Sequence, residues 1–234
     1  MQCPISKRWS RRKEARPQEI LEAALTLFVD KGFTATRIED IAREAGVTRG
    51  TPYLYFANKE EIFKAVIRDL LLPQITEAAV LFEGYTGSAA DLLRELVRIW
   101  WQNMGETQLS ALPKLMIAEG GQFPDVIEVY QREFIEPGLG LFKHALEYGI
   151  ARGEFRPVDV AVAAEVMAAP VVMAMLNQCA NTPCNGITVD PQTYLATFLD
   201  LTLGGLMMPP RADGPVSAES VSSSSSPSRE TPHV

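Results

Sequence analysis

The stretch IEDIAREAGVTRGTPYLYFANKEEIF, Ile38 to Phe63, decides how this chain is read. It begins as an amphipathic helix, with Ile38, Ile41, Ala42 and Ala45 at helical spacing. Gly46 can end that helix, because glycine accepts the left-handed backbone. Thr48 opens a second short helix, and Asn58 with Glu61 opens a third. Just ahead, Thr36 and Glu39 are spaced T-x-x-E, the pattern in which a threonine and a glutamate cap a helix reciprocally. Helix, glycine turn, helix is a helix-turn-helix, whose second helix enters the major groove of DNA.

That second helix contains Gly50 and Pro52, both unfavourable to helix, and then Tyr53, Leu54, Tyr55 and Phe56. It is therefore expected to be held by packing: Ile41, Ala42, Val47, Leu54 and Phe56 against Ile20, Ala24 and Phe28 of the preceding helix. Gly50 removes a side chain near the helix start, so the backbone can approach a phosphate or base edge. Thr48, Arg49 and Thr51 supply hydrogen-bonding groups there, and free N–H groups at a helix start favour anions. Tyr53 and Tyr55 offer hydroxyls on rigid rings, and each reads equally well as a half-buried core tyrosine. Pro52 falls at or just after the first turn and costs one backbone bond at most.

Outward from this segment, charge is uneven. The formal net charge is -7, yet through Glu60 the chain carries 11 Lys/Arg against 8 Asp/Glu. KRWSRRKEAR, Lys7 to Arg16, holds six basic residues and one acid. A basic front on an acidic body can still meet phosphates. Residues 1–14 read as a basic flexible arm making nonspecific phosphate contacts, or as a plain solvated terminus. Residues 207–234 run into PPRADGPVSAESVSSSSSPSRETPHV, too poor in apolar residues to order, and are expected to form a disordered tail.

The rest reads as all-α, with helices at about 17–31, 37–45, 48–55, 58–72, 74–83, 88–105, 108–119, 124–152, 157–178 and 191–206. Pro137 with Gly138 should kink or break the eighth, and Pro170 should kink the ninth. Asp190 before Pro191 is a good N-cap. No apolar run reads as a membrane span: the best, Val160 to Leu176, is interrupted by Glu165 and Pro170 and reads as a buried helix. The N-terminus has no secretory pattern, and Cys3, Cys179 and Cys184 give no paired framework, so a cytoplasmic chain with free thiols is expected.

Residues 18–63 resemble the DNA-binding domain of the TetR family of bacterial transcriptional regulators. The resemblance rests on Phe28, Gly32-Phe33, Thr36, Asp40-Ile41-Ala42, Ala45-Gly46-Val47, Gly50, Tyr53, Tyr55-Phe56 and Lys59-Glu60. PKLMIAEGGQFPDVIEVY and ARGEFRPVDVAVAAEV, further on, resemble the body of one TetR subgroup. Pro52 departs from the commonest pattern, which has leucine there. The resemblance implies that Thr36 holds a phosphate, that Thr48, Arg49, Gly50 and Thr51 face the groove with Arg49 reading a guanine edge, and that Tyr53, Tyr55 and Lys59 touch sugar-phosphate. Thr36 also reads as a cap alone, and Lys59 as an ordinary solvated lysine.

It further implies a helix-turn-helix domain over 15–63 and a larger helical body over 64–206 that binds a small-molecule effector and forms a homodimer on a double-stranded palindromic operator. Repression is the family default. For the dimer, Ala164, Met167, Ala168, Val171 and Met175, with Leu195, Phe198, Leu199 and Leu203, offer the faces of a four-helix bundle, or else an intramolecular core. For the effector, Trp100, Trp101, Met104, Leu115, Met116, Phe123 and Tyr130 offer an aromatic lining suited to a hydrophobic or amphipathic molecule, or else plain core. The helix from Asn58 to Leu72 would link the two sites. No cofactor, metal or catalytic motif is read: the histidines are His144 and His233, with no metal spacing, phosphate loop or nucleophile elbow. Three rivals to DNA binding are weighed: an all-α enzyme, which these absences disfavour; a thiol sensor built on Cys179 and Cys184, for which free structural thiols are the better reading because no Lys, Arg or His lies near; and a module that binds protein alone.

Overall fold

The computed structural model describes residues 4–178 and 189–208, with side chains from Arg16 onward. Cys3, Cys179, Cys184 and the chain beyond Met208 lie outside the described residues, and with them the thiol reading and nearly all of the expected tail. Among the described residues there is no strand, only an isolated bridge between Phe155 and Met207.

The first helix, α1 (Pro4–Lys31), begins well before Pro17, so the backbone of the basic segment extends the same helix. Ile20, Leu21, Ala24 and Phe28 are buried on its inner face. Gly32 (φ 86°) ends it, and Phe33 folds back so that Phe28, Phe33 and Phe63 form a ring cluster with centroids 5.1–5.5 Å apart. Next comes α2 (Ile38–Glu44), burying Ile38, Ile41 and Ala42. Gly46 (φ 63°) closes it: the Gly46 N–H donates to Arg43 O and the Val47 N–H to Ala42 O. This paired closure satisfies carbonyls that the helix end leaves open.

The expected helix over 48–55 is instead a turn followed by a single 3-10 turn, Pro52–Leu54. Pro52 has no N–H to give, so the segment closes with three-residue bonds, Leu54 N–H to Thr51 O and Tyr55 N–H to Pro52 O. Pro52 itself is buried, whereas Leu54 is 80% exposed. The anchor is thus the proline ring and not Leu54.

Asn58 caps α3 (Lys59–Val66), accepting the Glu61 N–H at 2.8 Å. The chain does not stop before Pro73. It passes through a wide turn, Ile67–Leu71, into α4 (Leu72–Val80). A proline cannot donate to the fourth residue back, and the residue before it, Leu72, donates five back, to Ile67 O. The same device precedes Pro137: Gln131–Ile135 is a wide turn, and the Glu136 N–H donates to Gln131 O. Two expected breaks are therefore absorbed as extra-wide turns inside continuous helices.

The body follows with α5 (Ala89–Trp100), running into a wide turn Trp101–Gly105, then α6 (Leu112–Glu119), α7 (Pro124–Tyr130), α8 (Glu136–Ala151), α9 (Val160–Gln178) and α10 (Pro191–Leu206). Ser88 caps α5 and Asp190 caps α10. α9 keeps Pro170 inside one assigned helix. At the end of α10 the chain is pinned to the α8–α9 connection, with Arg156 N–H on Leu206 O and Met208 N–H on Glu154 O, so 207–208 are ordered into the body.

Candidate nucleic-acid interface

The turn from Thr48 to Tyr55 projects from the first three helices. Thr48, Arg49 and Gly50 are exposed, and a β-carbon at Gly50 would meet nothing within 4 Å. The Thr48 and Thr51 hydroxyls share a hydrogen bond of 2.7 Å. Tyr53 and Tyr55 are 51% and 38% exposed, so each ring is half-buried and shows its remaining surface to solvent.

Arg49 is not idle. Its Nη2 donates to Glu39 Oε1 at 2.8 Å, tying the turn to α2. The Arg49 guanidinium holds the Glu39 carboxyl below the usual carboxylate range. Glu39 thus does not reach back to Thr36 as a capping box, and the N-cap of α2 is Arg37, without a side-chain bond.

Two residues expected to touch DNA are engaged inside the protein. Thr36 is 1% exposed, and its hydroxyl lies within donating distance of Gly32 O (2.7 Å) and Leu27 O (3.1 Å). It locks the α1–α2 loop and has no access to a phosphate. The Lys59 ammonium sits among the carbonyls of Phe33 (2.5 Å), Thr34 (3.2 Å) and Thr36 (2.9 Å), and over the Phe33 ring at 4.4 Å. An ammonium has three N–H donors, and these carbonyls can use all of them. Burial pulls the Lys59 pKa down, while the Glu60 and Glu119 carboxylates push it up.

Residues 20–66 match the family of bacterial regulatory proteins named for TetR, and residues 85–183 match the tetracyclin repressor-like C-terminal domain. The chain belongs to the TetR family. It is 31% identical over 158 residues to the HTH-type transcriptional regulator YfiR of Bacillus subtilis, covering 63% of this chain and 71% of the relative. It is 28% identical over 203 residues to the HTH-type transcriptional repressor KstR2 of Rhodococcus jostii, covering 84% of this chain and 94% of the relative. Among solved structures it resembles FadR of Bacillus subtilis in complex with stearoyl-CoA, with TM-score 0.63 and 20% identity over 80% of this chain and 98% of the other. The expectation of an all-α TetR architecture, a helix-turn-helix domain followed by a helical body, is met.

In this TetR-family body, the expected effector lining does not form one group. Trp100 and Tyr130 both pack on Phe134, at 5.6 and 5.5 Å, and Trp100 also approaches Phe142. Trp101, by contrast, lies over Gly105, and a β-carbon there would sit 2.3 Å from the indole. Phe123 reaches out of the body to pack edge-on against Phe33 at 4.5 Å. Leu115 lines a cleft of about 350 Å³ between α1 and α6, with Phe28, Gly32, Ala118 and Glu119. Trp101, Met104, Leu115 and Tyr130 are buried, while Trp100, Met116 and Phe123 are partly so. Burial pushes the Tyr130 phenol well above its ordinary range.

The expected dimer face is corrected more sharply. Ala164, Met167, Val171, Met175, Leu195 and Leu203 are all 5% exposed or less within the single chain, and Ala168, Phe198 and Leu199 are partly buried against the same core. The six buried residues are spent on the intramolecular core, the alternative the sequence left open, while Ala168, Phe198 and Leu199 keep part of their surface in solvent. The opposite face of α9 is open instead, with Val162 (56%), Val166 (59%) and Met173 (48%), and on α10 Leu201 is 71% exposed. Apart from the exposed Glu165, α9 is apolar or small on every side as far as Leu176, with mean hydropathy 1.8, and is long and apolar enough to cross a membrane by length and composition alone. It is therefore only half a buried helix. Periodicity cannot choose between the faces of such a helix.

Proposed function

We propose that the protein is a dimeric transcriptional repressor, acting on the chromosome in the cytoplasm and released from a palindromic operator by a hydrophobic or amphipathic small molecule. The observation that carries this reading is the open turn Thr48–Tyr55, with its bare Gly50 and outward Arg49, Tyr53 and Tyr55, in a chain of the TetR family. Arg49 reads a base edge in the major groove, Thr48, Gly50 and Thr51 bring the backbone and hydroxyls against the duplex, and the two tyrosines hold sugar-phosphate. Thr36 and Lys59 serve this surface only by fixing the loop behind it.

A second copy covers Val162, Val166, Met173 and Leu201. Exposed apolar side chains disfavour solvent, and a two-fold partner would place two reading turns on successive grooves. The effector class is supported by the aromatic packing around Trp100, Tyr130 and Phe134, by the ketosteroid regulator KstR2 of Mycobacterium tuberculosis among similar folds, and by FadR holding stearoyl-CoA. Selection of genomic fragments with purified protein, followed by titration of stearoyl-CoA and of a ketosteroid into the complex, tests the proposal. Enrichment of inverted repeats and release by one of the two support it. No enrichment of any fragment contradicts it.

A further inference from the structure

The α1–α2 loop is gripped from two directions by side chains that lie far apart in sequence. From the body, the Glu119 carboxylate at the end of α6 accepts the Phe33 N–H at 3.1 Å, the Thr34 N–H at 2.6 Å and the Thr34 hydroxyl at 2.7 Å. From α3, the Lys59 ammonium takes the carbonyls of the same residues and of Thr36. The Phe33 and Thr34 N–H groups thus go to one carboxylate and their carbonyls to one ammonium. Phe123 closes the joint from the body side, its ring 4.5 Å from that of Phe33. Gly32 makes the approach possible: a β-carbon there would sit 2.3 Å from Glu119 Oε1, at a φ of +86° that L side chains rarely adopt.

We infer that Glu119 is the positioning residue through which the helical body sets the placement of the DNA-reading turn. The reason is connectivity. Beyond the gripped loop the chain enters α2 directly, and the end of α2 is closed toward the reading turn by the Gly46 N–H on Arg43 O and the Val47 N–H on Ala42 O. A displacement of α6 therefore reaches the reading turn through charge-assisted hydrogen bonds to the loop and the seven-residue helix that follows it. Glu119 also walls the cleft between α1 and α6, so an occupant of that cleft would act on the same carboxylate. The inference rests on the DNA-binding reading and adds to it the residue that couples body to reader.

The test uses the full chain, a fragment enriched from genomic DNA by the wild-type protein, and a shuffled fragment of equal length. In Glu119→Ala the amides of Phe33 and Thr34 should exchange with solvent at least roughly tenfold faster, affinity for the enriched fragment should fall roughly tenfold, and affinity for the shuffled fragment should stay within about twofold. Glu119→Gln keeps one acceptor oxygen and should fall between. A merely structural role would weaken both fragments alike, and that result overturns the inference. So does faster exchange with an unchanged affinity ratio, or unchanged exchange. If the wild-type protein enriches no fragment, the DNA-binding reading fails first and this inference falls with it.

Discussion

Arg68 and Glu133 join the two wide turns that precede Pro73 and Pro137, through hydrogen bonds of 2.7 and 2.9 Å. The first turn lies on the helix that leaves the DNA-binding domain, the second on the helix that enters the body core. Each turn is a place where a proline has displaced regular helical bonding. A two-pronged ion pair across them fixes their relative register.

The pair gives stability a definite dependence on acid. The Arg68 guanidinium, with a smaller contribution from Arg132, pulls the Glu133 carboxyl from 4.5 down to about 2. A carboxylate that is more acidic folded than unfolded stabilises the fold above its unfolded value, and that contribution fades as pH falls through about 2. Arg68→Ala should therefore raise the pH midpoint of acid unfolding, followed by helical circular dichroism, and the two proteins should converge in stability below about pH 2. Identical acid transitions would show the pair to be idle.

Thr36 separates a structural from a DNA-contact role. Its hydroxyl is buried against two carbonyls, so Thr36→Val should cost about 1–3 kcal/mol in denaturant unfolding. The same variant should keep the wild-type salt dependence of DNA binding, since no phosphate contact is lost. A slope lower by about 0.9 with stability intact would return Thr36 to the phosphate backbone.

Leu54 is largely exposed beside buried Pro52. Leu54→Ala should change stability by less than about 0.5 kcal/mol, as surface substitutions do. If Leu54 were the anchor of the reading turn, the same change would cost about 2–5 kcal/mol. Thermal unfolding of the two proteins decides between them.

The two faces of α9 predict opposite outcomes for the same substitution. Val166→Glu places a charge on the open face and should give a folded monomer by sedimentation. Met167→Glu, one residue on, buries a charge in the single-chain core and should prevent folding at all concentrations. A dimeric Val166→Glu protein would move the interface elsewhere.

What was legible in the sequence followed local chemistry. Gly46, Asn58 and Asp190 each end or cap a helix by bonds within a few residues. The family motif pointed to Thr48, Arg49 and Gly50 as outward residues, and the three are exposed. What was not legible depended on partners distant in sequence. Thr36 reads as a cap until Leu27 O closes over it, and Glu39 reads as its mate until Arg49 takes it. Glu119 gives no local signal, because its partners lie more than 80 residues away. The α9 face was ambiguous because every side of that helix is apolar or small, and only the packed chain shows which side is already used.

The claim on which the rest depends is that the turn carrying Arg49 and Tyr53 reads DNA sequence. Its most direct test compares wild type with the Arg49→Ala, Tyr53→Phe double variant, both shown by thermal unfolding to be folded, on a selected fragment and its shuffled counterpart. Both side chains are exposed, so folding should be unaffected. The account predicts that the variant loses roughly tenfold to a hundredfold in its preference for the selected fragment, the scale of one bidentate base contact. An unchanged preference in the folded variant would contradict it.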